Sequence, residues 1–225
     1  MTTKIVYIDD DLLVVYKDSN IPTVPLKSNS GASLLSELAK EYPEILSCHG
    51  KNEWEGGILH RLDTPTRGLV IAARNQESYD FLSKEQSEDR IVKTYRATVG
   101  KSYGALEGFP IFPYGDLMEM PAVVCSKFRS FGTKGSSVRP VTDNKRFQDG
   151  PIYKTEVRKD SDSSFLCTIT KGFRHQIRCH LAWAGYPIVG DLRYGASDSP
   201  VFGLEAIALS FLHPTKGERI QISVD

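Results

Sequence analysis

The chain predicts an α+β fold, and three observations carry that expectation. Segments with strand character outnumber those with helical spacing, and the two kinds do not alternate as a parallel α/β fold requires. Two pairs of strand-like segments close across short polar stretches, Lys159 to Ser164 and His213 to Gly217, as hairpins do. The 225 residues are 40% hydrophobic, 10% aromatic and 25% charged, which suits a buried core and excludes a disordered or fibrous chain. The expected organisation is a single domain over residues 1–225, with no internal repeat and no low-complexity segment.

Each element has a local reason. Leu12 to Tyr16, a compact apolar run after Asp9, Asp10 and Asp11, predicts a buried strand. Asp18 to Ser30, rich in Asp, Asn, Pro and Ser, predicts a loop. Leu34, Leu35, Leu38 and Ala39 share one face of a helix over Ala32 to Lys40, which ends before Pro43. Cys48 to Gly57 is polar and contains glycine, hence loop. Pro65 and Gly68 break the segment Ile58 to Gly68, and Leu69 to Ala73 follows as a buried strand. Asn75 caps a helix reaching Gln86, with Tyr79 and Leu82 inward. In a strand over Ile91 to Val99, Val92, Thr94, Arg96 and Thr98 share one face, and Lys93, Tyr95, Ala97 and Val99 the other. Lys101 to Gly150 predicts loops with short strands. Tyr153 to Val157 and Phe165 to Thr170 are strands. A helix over Phe173 to Ala184 rests on the spacing of Phe173, Ile177, Leu181 and Ala184, with Gly185 as its stop. Leu204 to Leu212 and Arg219 to Val224 form the closing hairpin.

Charge and cysteine content narrow the function classes. The formal net charge is zero, so a nucleic-acid partner has to be met by a local basic face. Lys127, Arg129, Lys134, Arg139, Lys145 and Arg146 offer one, with Asp143 the only acid among them. Cys48, Cys125, Cys167 and Cys179 form no Cys-x-x-Cys pair, and His175 and His180 lack the i, i+4 spacing of a helical metal pair, so no metal is expected. The first residues carry no apolar signal-peptide core, and no apolar run reaches a membrane-spanning length. A cytoplasmic protein without membrane association is expected.

Three segments carry candidate chemistry. In His60-Arg61-Leu62-Asp63-Thr64-Pro65-Thr66-Arg67-Gly68 an acid stands beside potential cations on a constrained loop. Taken alone, this is either an active-site loop or an ordinary surface Arg–Asp pair. Lys93-Thr94-Tyr95-Arg96-Ala97 sets a tyrosine in a strand, where a core role competes with a functional one. Phe173 to Gly195 begins with Arg174-His175-Gln176-Ile177-Arg178, in which a helix would place Arg174 and Arg178 one turn apart, suited to phosphate or carboxylate.

In this order and spacing the three segments resemble the RluA family of pseudouridine synthases, with its HRLDxxTSG-type segment, its KxYxA strand and its RTHQIRxHLxxxGxPIxGDxxYG segment. The resemblance extends to Tyr7 to Val15 near the start and Leu204 to Glu218 near the end. It implies the pseudouridine synthase fold, a central mixed and mostly antiparallel sheet flanked by helices and loops. It also implies an RNA-modifying isomerase that acts on structured RNA (rRNA or tRNA), works as a monomer and needs no cofactor. Asp63 matches the family's catalytic aspartate, Tyr95 the tyrosine that contacts the flipped uracil, and Arg178 the arginine that pairs with the aspartate. Arg61 matches the arginine thought to help displace the flipped base. His60, Arg61, Arg67, Arg174, His175 and Gln176 are the expected RNA-contacting set. Family members often carry a small N-terminal RNA-binding module, and this sequence opens directly on the catalytic-domain pattern. Three positions depart from the pattern: Arg67 replaces a small residue, Phe173-Arg174 replaces Arg-Thr, and Lys17-Asp18 stands where Lys-Pro is usual.

Overall fold

The computed structural model describes residues 4–25, 31–100, 106–142, 150–195 and 199–224. Lys145, Arg146 and Asp143 of the basic stretch lie outside them. The elements in chain order are β1 (Lys4–Ile8), β2 (Leu12–Lys17), α1 (Leu34–Glu41), β3 (Arg67–Ala73), α2 (Gln76–Ser87), β4 (Val92–Thr98), β5 (Ala122–Phe131), β6 (Ser137–Val141), β7 (Tyr153–Ser161), β8 (Ser164–Ile169), α3 (Gln176–Trp183), β9 (Leu204–Leu212) and β10 (Arg219–Ser223). They fall into two compact units, Met1–Lys93 with Glu205–Asp225, and Thr94–Leu204.

In the first unit the strands order as β1-β2-β3-β9, with β10 on β9. All pairs are antiparallel except β3 with β9, which runs parallel at Arg67↔Glu205 and Gly68↔Ala206. Gly68 permits that close approach, because a Cβ there would lie 2.3 Å from the Ala206 carbonyl oxygen at a φ of +117°. Asp9 shapes the β1–β2 turn, its Oδ1 accepting from the amides of Asp11 and Leu12. Leu12, Val14, Leu69, Ile71, Leu82, Leu209 and Phe211 close into one buried cluster. Burial of each such side chain contributes roughly 1.5–3 kcal/mol. Asn75 caps α2 as its sequence predicts, accepting from the Ser78 amide at 2.9 Å, with Tyr79 and Leu82 buried. Helix α1 starts two residues later than the apolar spacing predicts, because Ser33 and Ser36 bond reciprocally in a capping box.

The second unit orders its strands β4-β8-β7-β5-β6. Burial alternates along β4 with the two faces the sequence predicts. The largest departure is in Lys101 to Gly150, expected to hold loops with short strands. It contains the ten-residue β5, paired antiparallel to β6 and to β7. Two residues hide it from a hydrophobic pattern. Ser126 fills a buried position of β5, and Pro140 interrupts β6, the last strand of this order, as proline does on edges. Strand β7 also runs on to Ser161, so the β7–β8 turn is tighter than the polar stretch Lys159 to Ser164 implies.

Candidate active site

In the first unit, Asp63 is half-buried on the loop that enters β3. Its carbonyl accepts the Thr66 amide at 3.0 Å, closing the turn through Thr64 and Pro65. The neighbours of Asp63 are tied to the segment after β2. The Thr23 hydroxyl donates to the Leu62 carbonyl at 3.0 Å and accepts the Leu62 amide at 3.1 Å. Ser19 donates to the Pro65 carbonyl at 2.6 Å, and the Lys17 ammonium donates to the Thr64 carbonyl at 3.1 Å. Lys17 is fully buried, and burial pulls its pKa down to about 8 against the opposing charges of Asp18 and Asp63. A carboxylate on so fixed a loop is preorganised.

The other expected residues of this unit are deployed unevenly. Arg61 is exposed and held at 3.0 Å by the buried Glu55 carboxylate. Arg67 lies 2.8 Å from Glu205, which also accepts from the Tyr16 hydroxyl, so its charge is locally balanced. His60, expected to face RNA, bonds to β3. Its Nε2 accepts the Ile71 amide at 3.4 Å, and burial together with the positive Lys93 pushes its pKa down to about 3. A neutral imidazole used this way adds no charge for phosphate.

In the second unit Tyr95 is buried on one face of β4. Arg178 is buried on α3, and its Nε and Nη2 make a bidentate pair with Asp191 at 2.7 and 2.8 Å. The rings of Tyr194 and Phe202 lie 5.4 and 5.3 Å from its guanidinium carbon. This clamp fixes the guanidinium plane.

The expectation of one helix carrying Arg174 and Arg178 a turn apart is overturned. Helix α3 begins only at Gln176, because His175 adopts a left-handed conformation (φ 57°) that helical residues do not share. Arg174 therefore lies outside the helix and donates to the carbonyls of Gly135 and Ser137, while Arg193 donates to that of Ser136. Both arginines grip the β5–β6 turn. Gln176, expected among the RNA-contacting set, is buried, accepts the Phe173 amide and donates to the Lys154 carbonyl and the Thr155 hydroxyl. His175 Nδ1 lies 3.1 Å from the Tyr194 hydroxyl. His180 is held between Ser126 and Thr155 at 2.9 Å each, its pKa pushed down to about 3 by burial.

Among the described residues, the group with metal-ligand spacing is Asp9, Asp11 and His213. Its atoms are already engaged. Asp9 Oδ2 accepts from Tyr7, His213 Nε2 and Lys216 at 2.5, 2.7 and 2.8 Å, and Thr215 donates to Asp11 at 2.6 Å. This is a network that pins the β9–β10 turn to the β1–β2 turn.

Comparison with known proteins bears on this geometry. The family model described as RNA pseudouridylate synthase matches residues 11–183. A dual-specificity RNA pseudouridine synthase RluA from Vibrio parahaemolyticus is 32% identical over 226 residues, covering 94% of this chain and 78% of its own. The chain belongs to the RluA family of RNA pseudouridine synthases. Other relatives in the family include ribosomal large subunit pseudouridine synthase D of Blochmanniella floridana, 29% identical over 91% of this chain and 57% of its own length. An RNA pseudouridine synthase of Aquifex aeolicus is 28% identical over 98% of this chain. This chain spans about three fifths to two thirds of those two relatives, 57% and 68%. The pseudouridine synthase fold is shared with human RNA pseudouridylate synthase domain containing 1, with a TM-score of 0.70 at 20% identity over 100% of this chain and 83% of that one.

For a pseudouridine synthase of this type, the sequence motifs locate Asp63, Tyr95 and Arg178 but not the residues that hold the Asp63 loop and Arg178. Lys17, Ser19, Thr23, Asp191, Tyr194 and Phe202 carry that role. The available signals were slight: a lysine closing an apolar run, and an acid after Gly190 that also fits a simple turn.

Proposed function

We propose that the chain isomerises specific uridines of structured RNA to pseudouridine, with Asp63 as the catalytic carboxylate. The observation that carries this reading is Asp63 itself. It stands at the family's aspartate position, on a loop whose flanking backbone is fixed by Lys17, Ser19 and Thr23. The target uridine leaves its stack to reach the site, as in other base-flipping enzymes. Arg61, exposed and paired with Glu55, acts on the displaced base in this reading. By their motif positions we assign Tyr95 the uracil-contacting role and Arg178, itself paired with Asp191, the role of the family's arginine. The bond from C1′ to N1 breaks, a bond from C1′ to C5 forms, the C5 proton leaves to solvent, and N1 takes up a proton in its place. No redox change accompanies that exchange, so the reading needs no cofactor.

Relatives named for the ribosomal large subunit favour ribosomal RNA as the target, with transfer RNA the other class to test. A cytoplasmic monomer fits this reading. Purified protein given RNA tritiated at uridine C5 should release tritium without added cofactor, and Asp63→Asn should abolish the release. Wild-type release by the Asn variant would overturn the role of Asp63. Mapping pseudouridine in ribosomal and transfer RNA from cells with and without the gene identifies the target.

A further inference from the structure

We propose that Lys17 is the positioning residue of the Asp63 loop, its buried ammonium holding the turn that presents the carboxylate. This rests on the function proposed above. A lysine with no exposed surface is rare and requires partners for its charge. The ammonium has three protons, and three backbone carbonyls take them: Ile21 at 2.7 Å, Asp18 at 2.9 Å and Thr64 at 3.1 Å. Those carbonyls belong to the end of β2, to the loop after it and to the turn that follows Asp63. One side chain thus joins three stretches of chain, and its third bond is to the residue next to the carboxylate.

The charged groups acting on Lys17 are Asp18, beside it in the chain, and Asp63 on the facing loop. Tyr16 points to the other face of β2, where it forms a separate group with Arg67 and Glu205. Burial brings the Lys17 pKa down to about 8 from an ordinary 10.5, so the ammonium becomes an amine within an accessible pH range. The amine keeps only two donors for three carbonyls and loses the charge that faces Asp63. The linkage sign then separates positioning from unfolding. The unfolded chain holds this proton up to about pH 10.5, so between pH 8 and 10.5 the unfolded state binds more protons at Lys17. Lys17 by itself therefore makes stability rise across that window while the turn loosens.

The test follows tritium release from RNA labelled at uridine C5, between about pH 6.5 and 9.5, with thermal unfolding measured in parallel. Wild-type kcat should fall above about pH 8 with no matching loss of Tm. Lys17→Met should lower kcat on the order of 10²-fold with KM changed less than about twofold, and should lack the alkaline limb. Lys17→Arg, cationic throughout, should retain more activity than Lys17→Met and show no limb near pH 8. Amide exchange gives a readout that does not depend on catalysis. In Lys17→Met the Leu62 and Thr66 amides should lose protection while the β2–β3 ladder keeps it. Wild-type kcat and unchanged protection in Lys17→Met would overturn the proposal. Lost protection in a protein whose wild type releases no tritium would instead overturn the reaction and leave the clamp standing.

Discussion

At the scale of single residues, the candidate site is held by groups that do not themselves resemble catalytic machinery. Asp191 is nearly inaccessible, and its two oxygens take both the Nε and Nη2 of Arg178. Removing one partner of a buried ion pair leaves an uncompensated charge, at a cost of about 3–5 kcal/mol. Asp191→Ala should therefore lower unfolding stability by about that amount in a urea titration, and activity with it. A loss under about 1 kcal/mol would mean that Arg178 is positioned by its aromatic neighbours Tyr194 and Phe202 instead. His60 and Gln176 teach the opposite lesson. Both sit inside recognisable motifs, yet one accepts a β3 amide and the other closes the start of α3.

At the scale of elements, hairpin turns are fixed by charge as well as by backbone geometry. Asp9 is desolvated, which alone would raise its pKa, but donation from Lys216, Tyr7, His213 and the Asp11 amide outweighs this and holds the carboxyl well below its ordinary 3.8. A depressed folded-state pKa contributes stability above the unfolded value and loses it as pH falls. Urea midpoints should therefore drop between about pH 5 and 3, and Asp9→Asn should flatten that part of the profile. An unchanged slope in the Asn variant would assign the acid loss to other carboxylates. Most elements were legible for local reasons: Asn75 caps α2, and the alternation along β4 matches its burial. Strand β5 was not, because Ser126 occupies a buried position where only its bond to His180 makes a polar group tolerable. The left-handed His175 was equally hidden, since neighbours rather than its own preference impose that conformation.

At the scale of the whole molecule, a formal charge of zero conceals an uneven distribution. In the second unit Ser126 and Thr155 face His180, so by alternation Lys127, Arg129 and Lys154 lie on the opposite face of the β5–β7 sheet, with Arg139 directly across from Arg129. Lys127, Arg129 and Arg139 of the basic stretch thus lie apart from Arg174 and Arg193, which donate to backbone carbonyls, and from Arg178, which pairs with Asp191. If that face contacts phosphates, Arg129→Gln/Lys154→Gln should lower the slope of log binding constant against log salt by about 1.4–1.8 for a labelled RNA hairpin. The exposed pair Lys51→Gln/Lys84→Gln should leave the slope unchanged. Equal losses in the two variants would make total charge, not this face, the determinant.

The sequence by itself determined the fold class, the order of most elements and the positions of Asp63, Tyr95 and Arg178, because periodicity, capping and ordered motifs are written in neighbouring residues. Only the tertiary structure decided which side chains hold the Asp63 loop and Arg178. Lys17 reaches Thr64 across 47 positions, Thr23 reaches Leu62 across 39, and Asp191 meets Arg178 from beyond the end of α3. The burial that makes such bonds strong exists only once distant segments have packed.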